Sequence, residues 1–215
     1  MVMALFFVLT EPAMAKEENI VNLPKPTYTG NVSVEEAMLK RRSVREYKKS
    51  PLELSDISQL LWAAQGVTVP RGFRTAPSAG ALYPLELYLV ASSVKGLDRG
   101  VYKYSADRHA LKRVIKGERQ GRLYWSSWAQ KSVKKAQAVV VITAVYKRTT
   151  GKYGNRGVRY VHMEVGHAAQ NIYLQAVSLG LGTVVVGAFN DSSVKKEIGA
   201  QKDEEPLCIM PIGKR

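Results

Sequence analysis

The sequence contains few of the residues from which disulfides and metal centres are built. It has one cysteine, Cys208, and three histidines, His109, His162 and His167. A single thiol excludes an intramolecular disulfide and any zinc site that needs several cysteines. His162 and His167 are five residues apart, which is a poor helical spacing for two ligands of one ion. We therefore expect no metal centre.

Several motifs of nucleotide-binding and hydrolytic enzymes are also missing. There is no GxGxxG or GxxxxGK[ST] phosphate loop, no Ser-His-Asp or Cys-His arrangement and no internal repeat. Acidic residues are scarce, because 18 Asp and Glu face 32 Lys and Arg, which gives a net charge of +14 and a pI of about 9.9. This excess favours an anionic partner: a phosphate-bearing cofactor, a nucleic acid or an acidic membrane surface.

The N-terminus predicts an export signal at residues 1–15. An apolar run, too short to span a membrane, precedes the small-x-small cleavage pattern Ala13-Met14-Ala15. The basic residues that usually begin such a signal are missing, and a retained apolar N-terminus is the alternative. With the signal the protein is periplasmic or secreted, and without it cytoplasmic. We expect residues 16–32 to form an extended arm and residues 33–215 to form one domain.

A basic cluster follows the first predicted helix, Val34 to Lys40, whose start carries Ser33 and Glu36 in capping-box spacing. The cluster reads Arg41-Arg42-Ser43-Val44-Arg45. A guanidinium is a planar fork that binds phosphate in bidentate fashion, and a serine adds a short hydrogen-bonding arm. The pattern predicts a clamp for a phosphorylated cofactor. A solvated basic turn is the alternative.

Small residues and prolines dominate a second stretch, residues 71–84. A loop of this composition lets the backbone approach a flat ligand closely, because few side chains intervene. We therefore predict a binding loop, with a plain connector as the alternative.

The remaining pattern alternates strands and helices. Leu85–Ala91 alternates in the manner of a strand, and Ala138–Val145 has the apolar, β-branched composition of a strand buried on both faces. Val161–Leu179 has helical spacing and ends at Gly180. Further strands are predicted at residues 100–104, 110–114, 182–189 and 206–212, and helices at residues 56–65 and from 191 or 192 to 199.

Four motifs together resemble the nitroreductase superfamily. They are Arg41-Arg42-Ser43-x-Arg45, residues 77–84 (PSAGALYP), Gly187-Ala188-Phe189 and Pro211-Ile212-Gly213-Lys214. The nearest branch is that of the SagB-type dehydrogenases, which includes azoline dehydrogenases. The resemblance covers residues 33–215, and the order and spacing of the motifs make it specific.

The resemblance implies an α+β fold with a central mixed sheet flanked by helices, working as an intertwined homodimer with FMN at the interface. It assigns the ribityl phosphate to Arg41, Arg42, Ser43 and Arg45, with Lys214 or Arg215 reaching the same phosphate. It places Pro77, Ser78, Ala79 and Gly80 beside the isoalloxazine. It sets the backbone amides of Gly187 and Ala188 against the flavin N5 edge.

The resemblance also implies a catalytic pair. Azoline dehydrogenases use a Lys-Tyr dipeptide in proton removal, and Lys152-Tyr153 matches it in a predicted loop after a buried strand. A lysine whose pKa is lowered by burial and neighbouring charge can act as a general base. The alternative is a surface loop that happens to contain this dipeptide. The expected activity is hydride transfer from a donor such as NAD(P)H to a small-molecule or peptide-derived substrate.

Two other functions remain open. Residues 95–135 carry twelve Lys or Arg against three acids, which is typical of a solvated face or of a protein that binds nucleic acid or an anionic surface without redox turnover. Tyr124, Trp125 and Trp128 in this segment are interpreted as packing anchors or as a wall of a substrate pocket. A family member without turnover, which stores or senses a ligand, is the third possibility.

Overall fold

A seven-stranded sheet crosses the part of the chain that the structure describes. This structure is a computed structural model, and it describes residues 19–70 and 72–215. The predicted signal at residues 1–15 lies outside these ranges. Within them, no helix combines the length and the apolar character that a membrane crossing requires.

The strands lie in the order β1-β4-β3-β2-β5-β7-β6. Their bounds are β1 Ile20–Asn22, β2 Leu85–Ala91, β3 Gly100–Ser105, β4 Ala110–Lys116, β5 Ala138–Ala144, β6 Leu181–Thr183 and β7 Glu205–Lys214. The predicted arm contributes β1, which pairs with β4 at one edge of the sheet. Only Leu181–Thr183 is a strand in the region predicted as a strand over residues 182–189.

The α+β class with a helix-flanked central sheet is confirmed, but the sheet is antiparallel and not mixed. Every pairing among the seven described strands is antiparallel. The apolar sequence of β5 indicates burial on both faces, and helices on both faces account for this burial. Such burial does not fix the direction of the neighbouring strands.

The seven described helices are α1 Val34–Lys40, α2 Leu54–Gln65, α3 Gln120–Ser126, α4 Lys131–Lys135, α5 Tyr146–Tyr153, α6 Arg156–Ser178 and α7 Asp191–Ile198. Helix α1 has the predicted bounds, and the Ser33 side chain accepts a hydrogen bond from the Glu36 N–H. Helix α2 begins earlier than predicted, because Glu53 and Asp56 form its capping box. Helix α5 replaces the loop predicted for residues 152 and 153.

The side chains of β5 divide the core into two layers. Val140 and Ile142 face the layer that contains α2 and α6, whereas Val139 and Val141 face the layer that contains α3, α4 and α7. Cys208 on β7 lies in the first layer with 5% of its surface exposed, and burial raises the pKa of its thiol to about 12. The sheet therefore lies between two helical layers.

Candidate functional site

The predicted clamp runs beside the C-terminal strand. The Val44 N–H donates to the Thr183 carbonyl over 2.9 Å, and the Lys48 N–H donates to the Lys214 carbonyl over 3.0 Å. At Gly182 an added Cβ would meet Val44 and would lie 3.2 Å from Arg215 Cγ. The structure therefore brings Arg215 next to the backbone of the clamp, although the two are far apart in the sequence.

Tyr173 of α6 connects the clamp with the segment before Gly187. Its hydroxyl lies 3.1 Å from Ser43 Oγ and accepts a hydrogen bond of 2.8 Å from the Val185 N–H. The Arg41 guanidinium lies over its ring, 5.2 Å from the centroid, in cation–π geometry. One aromatic side chain thus connects two of the segments that we expected to meet at a cofactor, the clamp and the segment before Gly187.

The other basic side chains of the clamp and the C-terminus are placed differently. Arg42 donates to the carbonyls of Leu39 and Arg41, so its guanidinium satisfies the end of α1. Lys214 Nζ forms an ion pair of 2.9 Å with Asp56. Arg45 and Arg215 are exposed. Arg42 and Lys214 thus already hold protein acceptors, although Arg42 is exposed as well.

A groove extends from Tyr173 along α6. It has a volume of about 270 Å³ and is lined by Gly166, Ala169 and Tyr173 from α6 and by Val185 and Gly187 from the segment opposite. Among the described residues, none accepts a hydrogen bond from the N–H of Gly187 or Ala188. Small side chains and free amides leave room for a flat polar ligand. A larger cavity of about 600 Å³, between residues 27–34 and helices α2 and α6, contains none of the predicted site residues.

The loop of small residues at positions 77–84, called the small-residue loop, is fixed by a buried acid. Ser78 Oγ donates to Glu164 Oε2 over 2.6 Å and accepts from the Tyr83 N–H over 2.9 Å. Ala81 and Tyr83 have positive φ values of 54° and 44°, which are costly for residues other than glycine. Such strain persists only where the surroundings enforce it, so the Ser78 contacts define the shape of this loop.

The predicted catalytic pair lies against the same loop. An added Cβ at Gly80 would lie 2.8 Å from the Tyr153 hydroxyl and 3.2 Å from Lys152 Nζ. Lys152 Nζ is also 5.5 Å from the centroid of the Tyr153 ring, and this ring packs edge-on against Tyr160. The dipeptide is at the C-terminus of α5 and not in a loop, and its two functional groups converge on Gly80.

Glu164 is a buried acid on α6, and the sequence analysis did not select it. It is 2% exposed, and burial raises its pKa to about 7, although the Ser78 hydrogen bond and the Arg74 charge both act to lower the pKa. Its Oε1 atom has no hydrogen-bond partner among the described residues. A carboxyl with this pKa exchanges its proton near neutral pH, as a general acid or base requires.

Sequence reasoning missed two residues of this site, Tyr173 and Glu164. Glu164 had a signal, since it interrupts the apolar stripe of α6 three residues after Val161 and four before Ala168. An acid on a buried helix face needs a partner or a raised pKa. Tyr173 had no local signal, because its contacts with Ser43 span 130 residues.

Comparisons with known proteins agree with the fold and the motifs. The family model described as "Nitroreductase family" matches residues 38–214. A protein of Methanocaldococcus jannaschii, provisionally named nitroreductase MJ1384, is 50% identical over 184 residues, which cover 86% of this chain and 92% of that protein. A solved structure from Ralstonia eutropha, also provisionally named a nitroreductase, superposes with a TM-score of 0.80 at 29% identity and covers 97% of this chain and 95% of that one.

A more distant relative is named for the processing of a microcin. The Microcin B17-processing protein McbC of Escherichia coli is 31% identical over 173 residues, or 77% of this chain. The matched part makes up 63% of McbC. The resemblance drawn from the four motifs is therefore confirmed at the level of the family. The match to McbC covers only part of the length of that protein.

Proposed function

The chain belongs to the nitroreductase family, and from this membership we propose that it is an FMN-dependent oxidoreductase that takes reducing equivalents from NAD(P)H. The family makes the chain an oxidoreductase, whereas the cofactor, the donor and the substrate belong to the proposal. The observation that carries the proposal is the meeting of Arg41, Ser43 and Val185 at Tyr173, beside a groove of small residues.

The residues at one end of the groove fit a phosphate. Arg41 and Ser43 are held by Tyr173, and Arg215 presents an exposed guanidinium group beside Gly182. Arg45 is also exposed and lies in a separate cavity beside Trp128. Charge-assisted hydrogen bonds from such groups suit a phosphate dianion. Arg42 and Lys214 would contribute through the field of their charges, because Arg42 Nη1 and Lys214 Nζ already donate to Leu39, Arg41 and Asp56.

The other end of the groove fits a flat ring system. Gly187 and Ala188 offer free backbone N–H groups, and Gly166 and Ala169 leave the α6 surface open. Bound FMN would supply hydride chemistry at its N5 atom, while the chain supplies binding, orientation and electrostatics. We assign Pro77, Ser78, Ala79 and Gly80 to the border of the ring, in the same subunit or across the dimer.

Lys152 and Tyr153 are assigned to proton transfer. Both reach Gly80, so both border the surface that we assign to the ring. The Lys152 ammonium is a proton donor, and the hydroxyl oxygen of Tyr153 is an acceptor. Together they can hold a proton next to a substrate atom. The relationship to McbC, a microcin-processing protein, supports a peptide-derived substrate, and a small molecule is the alternative.

We further propose that the working unit is a homodimer. Helix α1 exposes three apolar side chains, and α6 exposes two more: Val34, Met38, Leu39, Val158 and Met163. Exposed apolar area of this kind marks interaction surfaces. A second copy over this face would close the groove from solvent.

Absorbance of the purified protein tests the cofactor and the donor together. The protein should be yellow as isolated or after incubation with FMN, and the flavin band should fade when NADH or NADPH is added without oxygen. A protein that stays colourless after FMN incubation contradicts the proposal. A band that fades with dithionite but with neither nucleotide leaves the cofactor assignment standing and overturns the donor.

Single substitutions test the phosphate clamp. Arg41→Ala and Arg45→Ala should each weaken FMN binding roughly 10- to 100-fold, since a charge-assisted hydrogen bond is worth roughly 1.5–3 kcal/mol. Arg108→Ala removes the same charge from the exposed turn between β3 and β4 and serves as the matched control. Equal FMN affinity in all three variants would refute the clamp.

Nucleic-acid binding through residues 95–135 remains the alternative. Five of its twelve cations, Lys95, Lys103, Arg113, Arg119 and Lys135, form ion pairs with carboxylates, which reduces the positive charge that is free. Binding to single or double strands that weakens steeply with salt would favour this alternative. Absence of binding at low salt would remove it.

A further inference from the structure

The buried carboxyl of Glu164 lies where the small-residue loop, the strained turn and the predicted catalytic pair meet. Ser78 Oγ contacts it at 2.6 Å, and Gly80, two residues further along the chain, carries the contacts with Lys152 and Tyr153. Glu164 is 2% exposed, and one of its carboxyl oxygens has no hydrogen-bond partner among the described residues. A buried carboxyl of this kind lowers the stability of the folded state. Its position beside a loop that we assign to a cofactor calls for a functional explanation.

The hydrogen bonds of Ser78 depend on the protonation state of its partner. A serine hydroxyl has one hydrogen to donate and two lone pairs to accept with. One lone pair already accepts from the Tyr83 N–H. While Glu164 is ionised, the single hydrogen of Ser78 is committed to the carboxylate. When Glu164 is neutral, its own O–H can donate to the second lone pair, and the Ser78 hydrogen is released to another acceptor.

We propose that Glu164 is a positioning residue that holds a proton and thereby decides whether the Ser78 hydroxyl donates inward to the carboxylate or outward to bound flavin. This inference rests on the proposed function, because it takes the loop around Ser78 to border the ring. When Glu164 is neutral, the Ser78 hydroxyl can donate to the polar edge of the ring. When Glu164 is ionised, the same hydroxyl donates to the carboxylate. Glu164 acts through Ser78 and is not assigned to the reacting atoms.

The surroundings allow this exchange near neutral pH. Burial raises the Glu164 pKa to about 7, and Arg74 is the charged group that opposes this rise. Arg74 is itself fixed between Gln65 Oε1 and the face of Tyr83, with its Cζ 4.6 Å from the ring centroid. Lys152 and Tyr153 of α5 close the other side of the loop, with Tyr160 behind them.

FMN titrations at several pH values test the inference. In the natural protein, FMN affinity should fall roughly three- to tenfold as the pH rises through 7, the worth of one hydrogen bond. Glu164→Gln should keep the tight level at every pH, because the amide N–H donates to Ser78 as the neutral acid does. Ser78→Ala should keep the weak level at every pH.

The phosphate of FMN also titrates, so the quantity to compare is the ratio of affinities between each variant and the natural protein. Glu197→Gln makes the same chemical change on α7, in an ion pair with Arg119, and should leave this ratio constant with pH. A ratio to the natural protein that does not vary with pH, either for Glu164→Gln or for Ser78→Ala, overturns the inference.

Carbon-13 NMR of the glutamate carboxyls separates failure of the inference from failure of the proposed function. The signal lost in Glu164→Gln should titrate near pH 7 without any flavin present, and Ser78→Ala should raise its pKa because the hydrogen bond to the ionised form is removed. If Ser78→Ala leaves the pKa of this signal unchanged, the hydrogen-bond exchange is overturned, whether or not the protein binds flavin. A signal that moves as expected, in a protein that binds no FMN, overturns the proposed function and the outward donor together.

Discussion

Tyr173 and Ser43 are 130 residues apart in the sequence, and their hydroxyl oxygens lie 3.1 Å apart in the structure. The same phenol accepts the Val185 N–H, and its ring lies under Arg41. Helix α6 thereby determines the distance between the basic cluster and the segment that leads to Gly187. We expect the geometry of the candidate phosphate site to depend on this tyrosine.

Removing one oxygen tests this dependence. Tyr173→Phe keeps the ring beneath Arg41 but loses the contacts with Ser43 and Val185. We expect FMN binding to weaken roughly three- to tenfold and the free energy of unfolding to fall by about 1–2 kcal/mol. Fluorescence titration and urea denaturation measure the two effects. Tyr160→Phe, on the same helix, is the control and should leave FMN affinity unchanged, whereas equal losses in both variants would contradict the assignment.

Gly80 tests the contact with the catalytic pair. Gly80→Ala should cost about 1–2 kcal/mol of stability, because φ is +64° there, and should also displace the Tyr153 hydroxyl. Gly117→Ala has comparable backbone strain, with φ at +84°, but no atom within 4 Å of the new Cβ. NADH-dependent reduction of a quinone should fall roughly 10- to 100-fold in the first variant only. Similar activity in both would argue against a role for Lys152 and Tyr153.

Lys214 and Arg215 should have separable effects, although the two are adjacent. Lys214 is paired with Asp56 at the start of α2, so Lys214→Ala should lower stability. A double-mutant cycle with Asp56→Asn should give a coupling of about 1 kcal/mol. Arg215→Ala should leave stability nearly unchanged and weaken FMN binding. A cycle without coupling, or FMN affinity that depends on Lys214 alone, would reverse the two assignments.

Glu164 should impose a pH dependence on stability as well as on ligand binding. Its folded pKa of about 7 lies above the ordinary value of 4.5, so the folded protein holds a proton that the unfolded chain has already lost between these values. The free energy of unfolding should therefore fall as pH rises from 4.5 to 7, by roughly 3 kcal/mol in total. The free energy of unfolding, measured by urea denaturation at several pH values, should show this fall in the natural protein and not in Glu164→Gln. Parallel curves would show that the acid is not buried as described.

The local parts of the fold were readable from the sequence, whereas the way the parts meet was not. Helix α1 and strand β2 have the predicted bounds, because Ser33 caps the first and leucines at every second position mark the second. Helix α5 was missed, since its Thr and Gly residues are weak helix formers and packing on α6 decides its conformation. The region after Thr183 was predicted as a strand from composition, yet beyond β6 it pairs with β7 only through Val186 and Ile209.

The motifs of the candidate site were predictable as segments, and the contacts between them were not. Arg41, Ser43, Ser78 and Gly80 could be selected because arginine forks, serine hydroxyls and glycines each have a distinct binding chemistry. Whether Lys214 faces a ligand or Asp56 depends on the path of β7 beside α2, which no local pattern contains. Glu164 was selectable in principle, as an acid inside an apolar helical stripe.

The burial of Cys208 in the sheet has a practical consequence. As the sole thiol of the chain, 5% exposed and with its pKa raised to about 12, it should react slowly with an aromatic disulfide reagent until β7 separates from its neighbours. The rate of colour release then reports how often the central strands open, without an introduced label. Adding FMN should slow this release, because Cys208 also lines the groove, so that a bound ring would cover the thiol and would suppress opening as well, and the natural chain thus provides its own assay for cofactor binding.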